Sequence, residues 1–176
     1  AYGHGAVPVA RTIDRFVCGY AVATVDEGLK LRRHGIEKEI LCLGPVSAGR
    51  YQECLENDIS LPMFEYRRAK ELSDAAVAEG KTAKIHIAVD TGMSRIGLFP
   101  DEGSVEIVKE IAELPALRIA GMFTHFARAD EADKTNAGEQ YRRFREFCDD
   151  VKAAGVAVPV CHCSNSAGIV ELPDFN

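Results

Sequence analysis

The chain has 176 residues, of which 47% are apolar and 27% charged, the make-up of one water-soluble globular domain with enough apolar surface for a sizeable core. Lys and Arg number 21 against 27 Asp and Glu, a net charge of −6, which argues against binding nucleic acid or an anionic membrane, since both demand excess positive charge. No segment approaches the roughly 20 apolar residues of a membrane span, and the opening Ala1-Tyr2-Gly3-His4-Gly5 has neither the basic-then-apolar order of a signal peptide nor an initiator methionine, which is expected of a processed chain or a cut piece.

Strand and helix patterns alternate along the chain. A strand is expected over residues 16–23, then a helix over 25–34 closed by Gly35, then a strand over 39–44. Pro45 can open a helix over 46–55, and 59–64 is a weaker strand. Ala69, Leu72 and Ala76 form an apolar stripe at helical spacing ended by Gly80, and 84–90 is again a strand. Val105, Val108, Ile111 and Leu114 repeat the helical stripe before Pro115, and a strand follows over 117–126. Tyr141, Phe144, Phe147, Cys148 and Val151 mark a helix within 139–154, stopped by Gly155. The last strand is 158–164, with Pro159 tolerable near its start. A short helix is expected after it.

Five or six strand–helix units imply a parallel sheet with crossover helices, either open and doubly wound or part of an eight-fold (β/α)8 barrel. A full barrel takes about 250 residues, so here it would be incomplete. In both folds ligands bind at the carboxyl ends of the strands. Polar groups collect there: Asp90-Thr91-Gly92-Met93-Ser94-Arg95-Ile96-Gly97, Thr124-His125-Phe126, and His162-Cys163-Ser164-Asn165-Ser166-Ala167-Gly168.

Each group has a functional and a structural reading. Ser164 to Gly168 can be an anion site or an ordinary helix cap. Arg95 can hold a phenolate, carboxylate or phosphate, or be a surface arginine. His125 can stack on a ring, ligate metal or shuttle protons, or be a hydrogen-bonded core histidine. Tyr2, beside Gly3 and Gly5, can approach a ligand closely or lie in a frayed terminus. No Gly-x-Ser-x-Gly elbow, Walker loop or dinucleotide fingerprint is present. The six cysteines are expected to be reduced, as in a cytoplasmic protein, with Cys42 and Cys148 as small buried apolar residues. Cys161-His162-Cys163 is a local cluster without a second ligand pair at zinc spacing; His125 could be recruited from afar, but no metal is expected.

Taken in order, several segments resemble alanine racemases. Ala1-Tyr2-Gly3-His4-Gly5-Ala6-Val7-Pro8-Val9-Ala10 is similar to part of that family's pyridoxal-phosphate signature. Tyr20-Ala21-Val22-Ala23-Thr24-Val25-Asp26-Glu27, Ile40-Leu41-Cys42-Leu43-Gly44, the Asp90 to Gly97 run, Thr124-His125-Phe126-Ala127 and His162-Cys163-Ser164-Asn165-Ser166-Ala167 follow in family order. The resemblance implies the N-terminal barrel of a fold-type III enzyme that interconverts L- and D-alanine on pyridoxal 5′-phosphate, as a cytoplasmic homodimer, supplying D-alanine for peptidoglycan. By the same resemblance Tyr2 and Ser166, with the backbone around Asn165, would hold the cofactor phosphate. His125 would lie against the pyridine ring, Leu43 would pack beside it, and Arg95 would hydrogen-bond the phenolic oxygen. His162 would sit behind these and hold a neighbouring arginine.

The resemblance also implies groups that residues 1–176 do not contain. The Schiff-base lysine lies four residues before the Tyr2 equivalent. The arginine facing the pyridine nitrogen follows a segment like Asp174-Phe175-Asn176, and the opposite-face tyrosine belongs to a C-terminal β domain. Ala88 stands where many members place a carbamylated lysine that braces Arg95, so a gap beside Arg95, filled by water, chloride or another side chain, is expected. A serine racemase of the same fold, a non-catalytic pyridoxal-phosphate barrel and a zinc hydrolase built on His125, His162 and Cys163 are the alternatives.

Overall fold

The computed structural model describes Ala1 and residues 3–175. Six strands, β1 (Gly19–Val22), β2 (Glu39–Cys42), β3 (Ile59–Met63), β4 (Ala83–Ala88), β5 (Leu117–Phe123) and β6 (Cys161–His162), form one sheet in sequential order, every neighbouring pair parallel. Seven helices accompany them: α1 (Ala6–Ile13), α2 (Val25–Arg33), α3 (Tyr51–Glu56), α4 (Tyr66–Ala78), α5 (Glu102–Ala112), α6 (Thr135–Ala153) and α7 (Ser166–Glu171). The weak strand at 59–64 is real and buried throughout. The strand expected over 158–164 pairs only at Cys161 and His162. Helix α1 occupies a stretch for which the sequence reading expected no element; its buried Val7 and Ala10 pack against the main core.

Helix starts are fixed locally. Thr24 and Glu27 form a reciprocal capping box on α2, with the Glu27 carboxylate accepting from the backbone N–H groups of Ala23 and Thr24. Asp101 accepts from Ser104 N–H at 2.8 Å and starts α5.

The period-two alternation of the strands separates two environments. On one face Ile40, Cys42, Ile59, Leu61, Met63, Ile85, Ile87 and Met122 are buried in the main core, together with helical residues Leu29, Leu72, Val108, Ile111, Phe144 and Phe147. On the other face lie Glu39, Leu41, Ser60, His86, Ala88, Gly121, Phe123 and His162. Here side chains from alternate strands touch: Glu39 of β2 reaches His86 of β4 at 3.1 Å, and His86 reaches His162 of β6 at 3.1 Å. Layers built from alternate strands are the packing of a barrel interior. The sheet is therefore the arc of an incomplete (β/α)8 barrel and not a flat sheet with helices on both faces.

One irregularity sets the inner face. Ile85 pairs with Ile119, but His86 pairs with Gly121, so Ala120 is an extra residue in β5. Gly121 thereby faces His86. A Cβ there would lie 2.6 Å from His86 Nδ1 and 2.8 Å from the Val160 carbonyl oxygen, so only glycine leaves room for the imidazole.

Candidate functional site

The rim at the carboxyl ends of β2, β4, β5 and β6 carries Leu43, Arg95, His125, Asn165 and Ser166. Tyr2 lies outside the described residues. A separate depression of about 500 Å³ lies at the opposite ends of the strands, among Lys109, Glu113, Leu117, Arg118 and Pro159; none of the predicted site residues lines it.

Arg95 is presented by a closed loop. Val89 bridges to Leu98, with Asp90 N–H donating to the Leu98 carbonyl at 2.8 Å and Leu98 N–H to that of Ala88 at 2.9 Å. Within the loop the Asp90 carboxylate accepts from Gly92 N–H at 3.0 Å and Ser94 N–H at 2.9 Å. Gly97 has φ +127°, and a Cβ on it would fall 2.4 Å from the Asp90 nitrogen. The backbone crosses itself too closely for any side chain. Arg95 itself is exposed, with no hydrogen bond or ion pair among the described residues. Its positive charge and the burial of His125 act together on that imidazole: burial first, then Arg95, lower the His125 pKa. His125 is thus neutral at pH 7 beside an uncompensated guanidinium.

Of the occupants expected beside Ala88, the described residues supply apolar side chains. Ala88 is buried against Leu41 and Phe123, with Leu43, Phe64 and Ile96 packed on them. Arg95 reaches solvent instead, where a guanidinium needs no buried anion.

A residue absent from the sequence reading ties the rim together. Gln140, on α6 and 2% exposed, donates to Thr91 Oγ1 at 3.1 Å and to the His125 carbonyl at 3.2 Å. Its carbonyl accepts from Ala127 N–H at 2.9 Å, and Thr91 and Thr124 share a hydroxyl bond at 2.8 Å. The Arg95 loop and the His125 segment are therefore held by one buried amide.

At the third edge of the rim, Asn165 caps α7 by accepting from Gly168 N–H at 2.9 Å, and its amide donates to the Phe126 carbonyl at 3.3 Å. Both ends of that side chain are thus engaged within the chain. Ser166 opens α7 and is exposed. The buried Ser164 hydroxyl has no oxygen or nitrogen partner among the described residues; its one approach is to the neighbouring Cys163 thiol. A buried hydroxyl without such a partner is unusual enough to indicate a missing one.

Below the rim a polar chain crosses the interior. Glu39 accepts from Ser60 Oγ at 2.9 Å and pairs with His86 Nε2 at 3.1 Å. Burial alone would raise the Glu39 carboxyl, but hydrogen bonds from His86 and Ser60 outweigh it and the net shift is downward. Burial is the main cause lowering His86, and burial with the neighbouring His86 lowers His162 to about 4. Both rings are then neutral at pH 7 beside an ionised carboxylate, and the tautomers follow. A carboxylate only accepts, so His86 Nε2 carries its proton. His86 Nδ1 then accepts, so His162 Nε2 donates to it. His162 Nδ1 is left as an acceptor, with no donor among the described residues. The ring also stacks on Phe123, 5.4 Å between centroids. The same alternation separates the zinc ligands envisaged earlier: His162 faces inward, whereas Cys163 belongs to the outer core.

A parallel α/β arc that brings a cationic loop, a neutral imidazole and a serine-bearing helix start to its carboxyl rim is an incomplete barrel with the groups an anionic ligand would require at the end where barrels bind ligands. Comparison with known proteins narrows the class. The family model "Alanine racemase, N-terminal domain" matches residues 1–176, and the chain belongs to that family. It is 46% identical over 99% of its length to an alanine racemase of Clostridium novyi, and 41% identical over 99% to one of Methanococcus maripaludis. It spans 45% and 47% of those two proteins, about half the length of the curated relatives it matches. Among solved structures, alanine racemase of Clostridium difficile superposes with a TM-score of 0.95 at 38% identity, covering 99% of this chain and 48% of that one. The Bacillus anthracis enzyme with bound L-Ala-P gives 0.82 at 38%, covering 94% and 43%.

Proposed function

We propose that residues 1–176 are the cofactor-bearing barrel portion of a cytoplasmic, homodimeric alanine racemase that interconverts L- and D-alanine with pyridoxal 5′-phosphate and supplies D-alanine for peptidoglycan. The observation that carries this reading is the convergence at one rim, on a chain of this family, of groups suited to the cofactor's two anionic ends. Ser166 and the buried Ser164 hydroxyl near it in the chain, which has no oxygen or nitrogen partner among the described residues, fit a phosphate. Arg95, charged and unpaired, fits a phenolic oxygen.

In this reading Ser166, Tyr2 and the backbone at Asn165 bind the phosphate, and Leu43 excludes water on one flank. His125, kept neutral, offers a flat uncharged face to the pyridine ring. Arg95 holds the phenolic oxygen anionic. His162, with its acceptor nitrogen fixed by His86 and Glu39, takes a donor from the arginine that would face the ring nitrogen. When bound, the cofactor supplies the electron sink that makes the substrate α-proton removable. Two-base racemisation needs a proton donor and acceptor on opposite faces of the substrate carbon. By the family resemblance, the lysine and tyrosine that do this correspond to positions outside residues 1–176, and in this reading such groups complete the site.

The test is a coupled assay of D-alanine formation from L-alanine and added pyridoxal phosphate, run on the whole protein and on residues 1–176. The whole protein should turn over L-alanine in preference to L-serine, and the piece alone should not. Turnover by the piece above the free cofactor's own rate, or a preference for serine by the whole protein, would overturn the assignment.

A further inference from the structure

The hydrogen-bonded chain in the barrel interior runs from Glu39 at the start of β2, through His86 on β4, to His162 at the end of β6. Its formal charge sits at one end. Lys84, on the same face of β4 as His86, pairs with Asp58 at 2.6 Å, and among the described residues neither lysine nor arginine pairs with Glu39. At the other end His162 Nδ1 is an acceptor that meets no donor among the described residues. The strands are shaped around the link between the two ends. The extra residue in β5 sets Gly121 against His86, where any Cβ would displace the imidazole. A chain with one unbalanced negative charge and an open acceptor is complementary to a cation that donates.

We propose that Glu39 is a positioning residue for the rim: acting through His86, its carboxylate fixes His162 as an acceptor and provides the counter-charge for a guanidinium that lies outside residues 1–176. On the racemase reading, on which only its identity rests, this guanidinium is that of the arginine facing the pyridine nitrogen.

The direction of the chain depends on the charge. An ionised carboxylate only accepts, so His86 keeps its proton on Nε2, its Nδ1 accepts from His162 Nε2–H, and His162 Nδ1 is left bare. Burial keeps both rings neutral. Glutamine at position 39 would have the same shape but could donate. With its amide N–H on His86 Nε2, both rings would take the opposite tautomer. His162 would then present Nδ1–H at the rim, and a guanidinium would meet a donor where it needs an acceptor. Ser60 donates to the same Glu39 oxygen at 2.9 Å. It steadies the carboxylate without carrying charge, so its loss leaves the direction of the chain intact.

The test uses the whole protein labelled with 15N-histidine, wild type against Glu39→Gln, with Ser60→Ala as the comparison that keeps the charge. Without cofactor, long-range 1H–15N spectra at pH 7 should show His162 with Nε2–H and a hydrogen-bonded Nδ1 in wild type and Ser60→Ala, and mainly Nδ1–H in Glu39→Gln. With pyridoxal phosphate and L-alanine, Glu39→Gln should lower kcat roughly tenfold, the worth of one hydrogen bond to a charged group. KM for L-alanine should stay within about twofold, since on this reading the chain lies behind the cofactor and not against substrate. If Glu39→Gln folds poorly by circular dichroism, His86→Leu cuts the chain while the charge stays in place, and should release the His162 tautomer and lower kcat in the same way. An unchanged His162 tautomer in Glu39→Gln, a free Nδ1 in the wild type, or equal losses in Ser60→Ala and Glu39→Gln would overturn the proposal. A wild-type protein that does not racemise alanine, yet whose His162 tautomer inverts in Glu39→Gln, would instead overturn the racemase reading and uphold the role of Glu39.

Discussion

Replacing Gln140 by leucine would keep the volume of the buried side chain and remove every hydrogen bond it makes. Three are lost: the two donated to Thr91 Oγ1 and the His125 carbonyl, and the one accepted from Ala127 N–H. Thr91 keeps Thr124 as a partner at 2.8 Å, so two backbone groups, the His125 C=O and the Ala127 N–H, carry most of the damage. Each buried polar group left without a partner costs about 1–3 kcal/mol. Both residues are half-buried, which favours the lower end, and leucine regains some apolar contact. The net loss should be about 2 kcal/mol, or roughly 4–8 °C in Tm for a chain of this size. Thermal and urea unfolding of Gln140→Leu would read it, with Glu139→Gln, exposed on the same helix, as a control expected within about 0.5 kcal/mol of wild type. Because the amide spans the Arg95 loop and the His125 segment, pyridoxal phosphate should also bind less tightly to the whole protein. A variant as stable as wild type, with unchanged cofactor affinity, would refute the argument that one amide organises the rim.

Gly97→Ala should be more damaging than its size suggests, since a Cβ 2.4 Å from the Asp90 nitrogen forces the Arg95 loop open; unfolding and cofactor titration should both report it, and a stability within about 0.5 kcal/mol of wild type would contradict the crossing described. Long-range 1H–15N spectra should find His86 and His162 both protonated at Nε2 at pH 7, and Glu39→Gln, which can donate as well as accept, should relax that tautomer; an Nδ1–H form in the wild type would break the chain of reasoning. His162 is held near 4 in the fold against an ordinary value of about 6.5 when unfolded. Below that value the unfolded chain therefore binds its proton first, and stability should fall as pH drops from about 6.5 toward 4; Glu39, also lowered, adds its loss only further down, and a flat urea midpoint between pH 7 and 5 would refute the neutral-histidine interior. Arg95→Leu in the whole protein should lower turnover of L-alanine and cofactor affinity while leaving Tm within about 0.5 kcal/mol equivalent of wild type, because the guanidinium has no internal partner to lose.

Most of the strands are legible as short runs rich in Val, Ile, Leu or Phe between turn residues, and the rim follows from the rule about strand ends. Less visible was the interior chain, whose contacts span 47 and 76 residues. A signal for it exists nevertheless. His86 interrupts Lys84-Ile85-His86-Ile87-Ala88 with a titratable group at the period of the inner face, where an unpaired polar residue could not remain buried. Gln140 is similar: it occupies a place on the stripe that Ala137, Phe144, Phe147 and Val151 bury, and a polar residue in such a stripe requires partners. Helix α1 gives a weak signal, since only Val7 and Ala10 are buried in its eight residues and Gly5 before it supplies no side-chain cap. The last strand was overextended because residues 158–160 look strand-like, whereas the paired β6 begins at Cys161.

The extra residue in β5 has a bearing on how such a chain tolerates change in length. Along a strand the assignment of side chains to inside or outside is a matter of parity, odd against even. Ala120 resets that count once, midway through β5. Everything downstream inherits the reset: Gly121 beside His86, Phe123 beneath His162, and the direction in which the chain leaves for His125. Deleting Ala120 itself would leave Ile119 opposite Ile85 and Gly121 opposite His86, a regular ladder with the downstream faces kept, whereas deleting Met122 would turn Phe123 toward the helices. Single-residue insertions or deletions in relatives should therefore collect in the helix–strand connections or at the bulge itself and be rare between 121 and 125, unless a second change of length nearby restores the count.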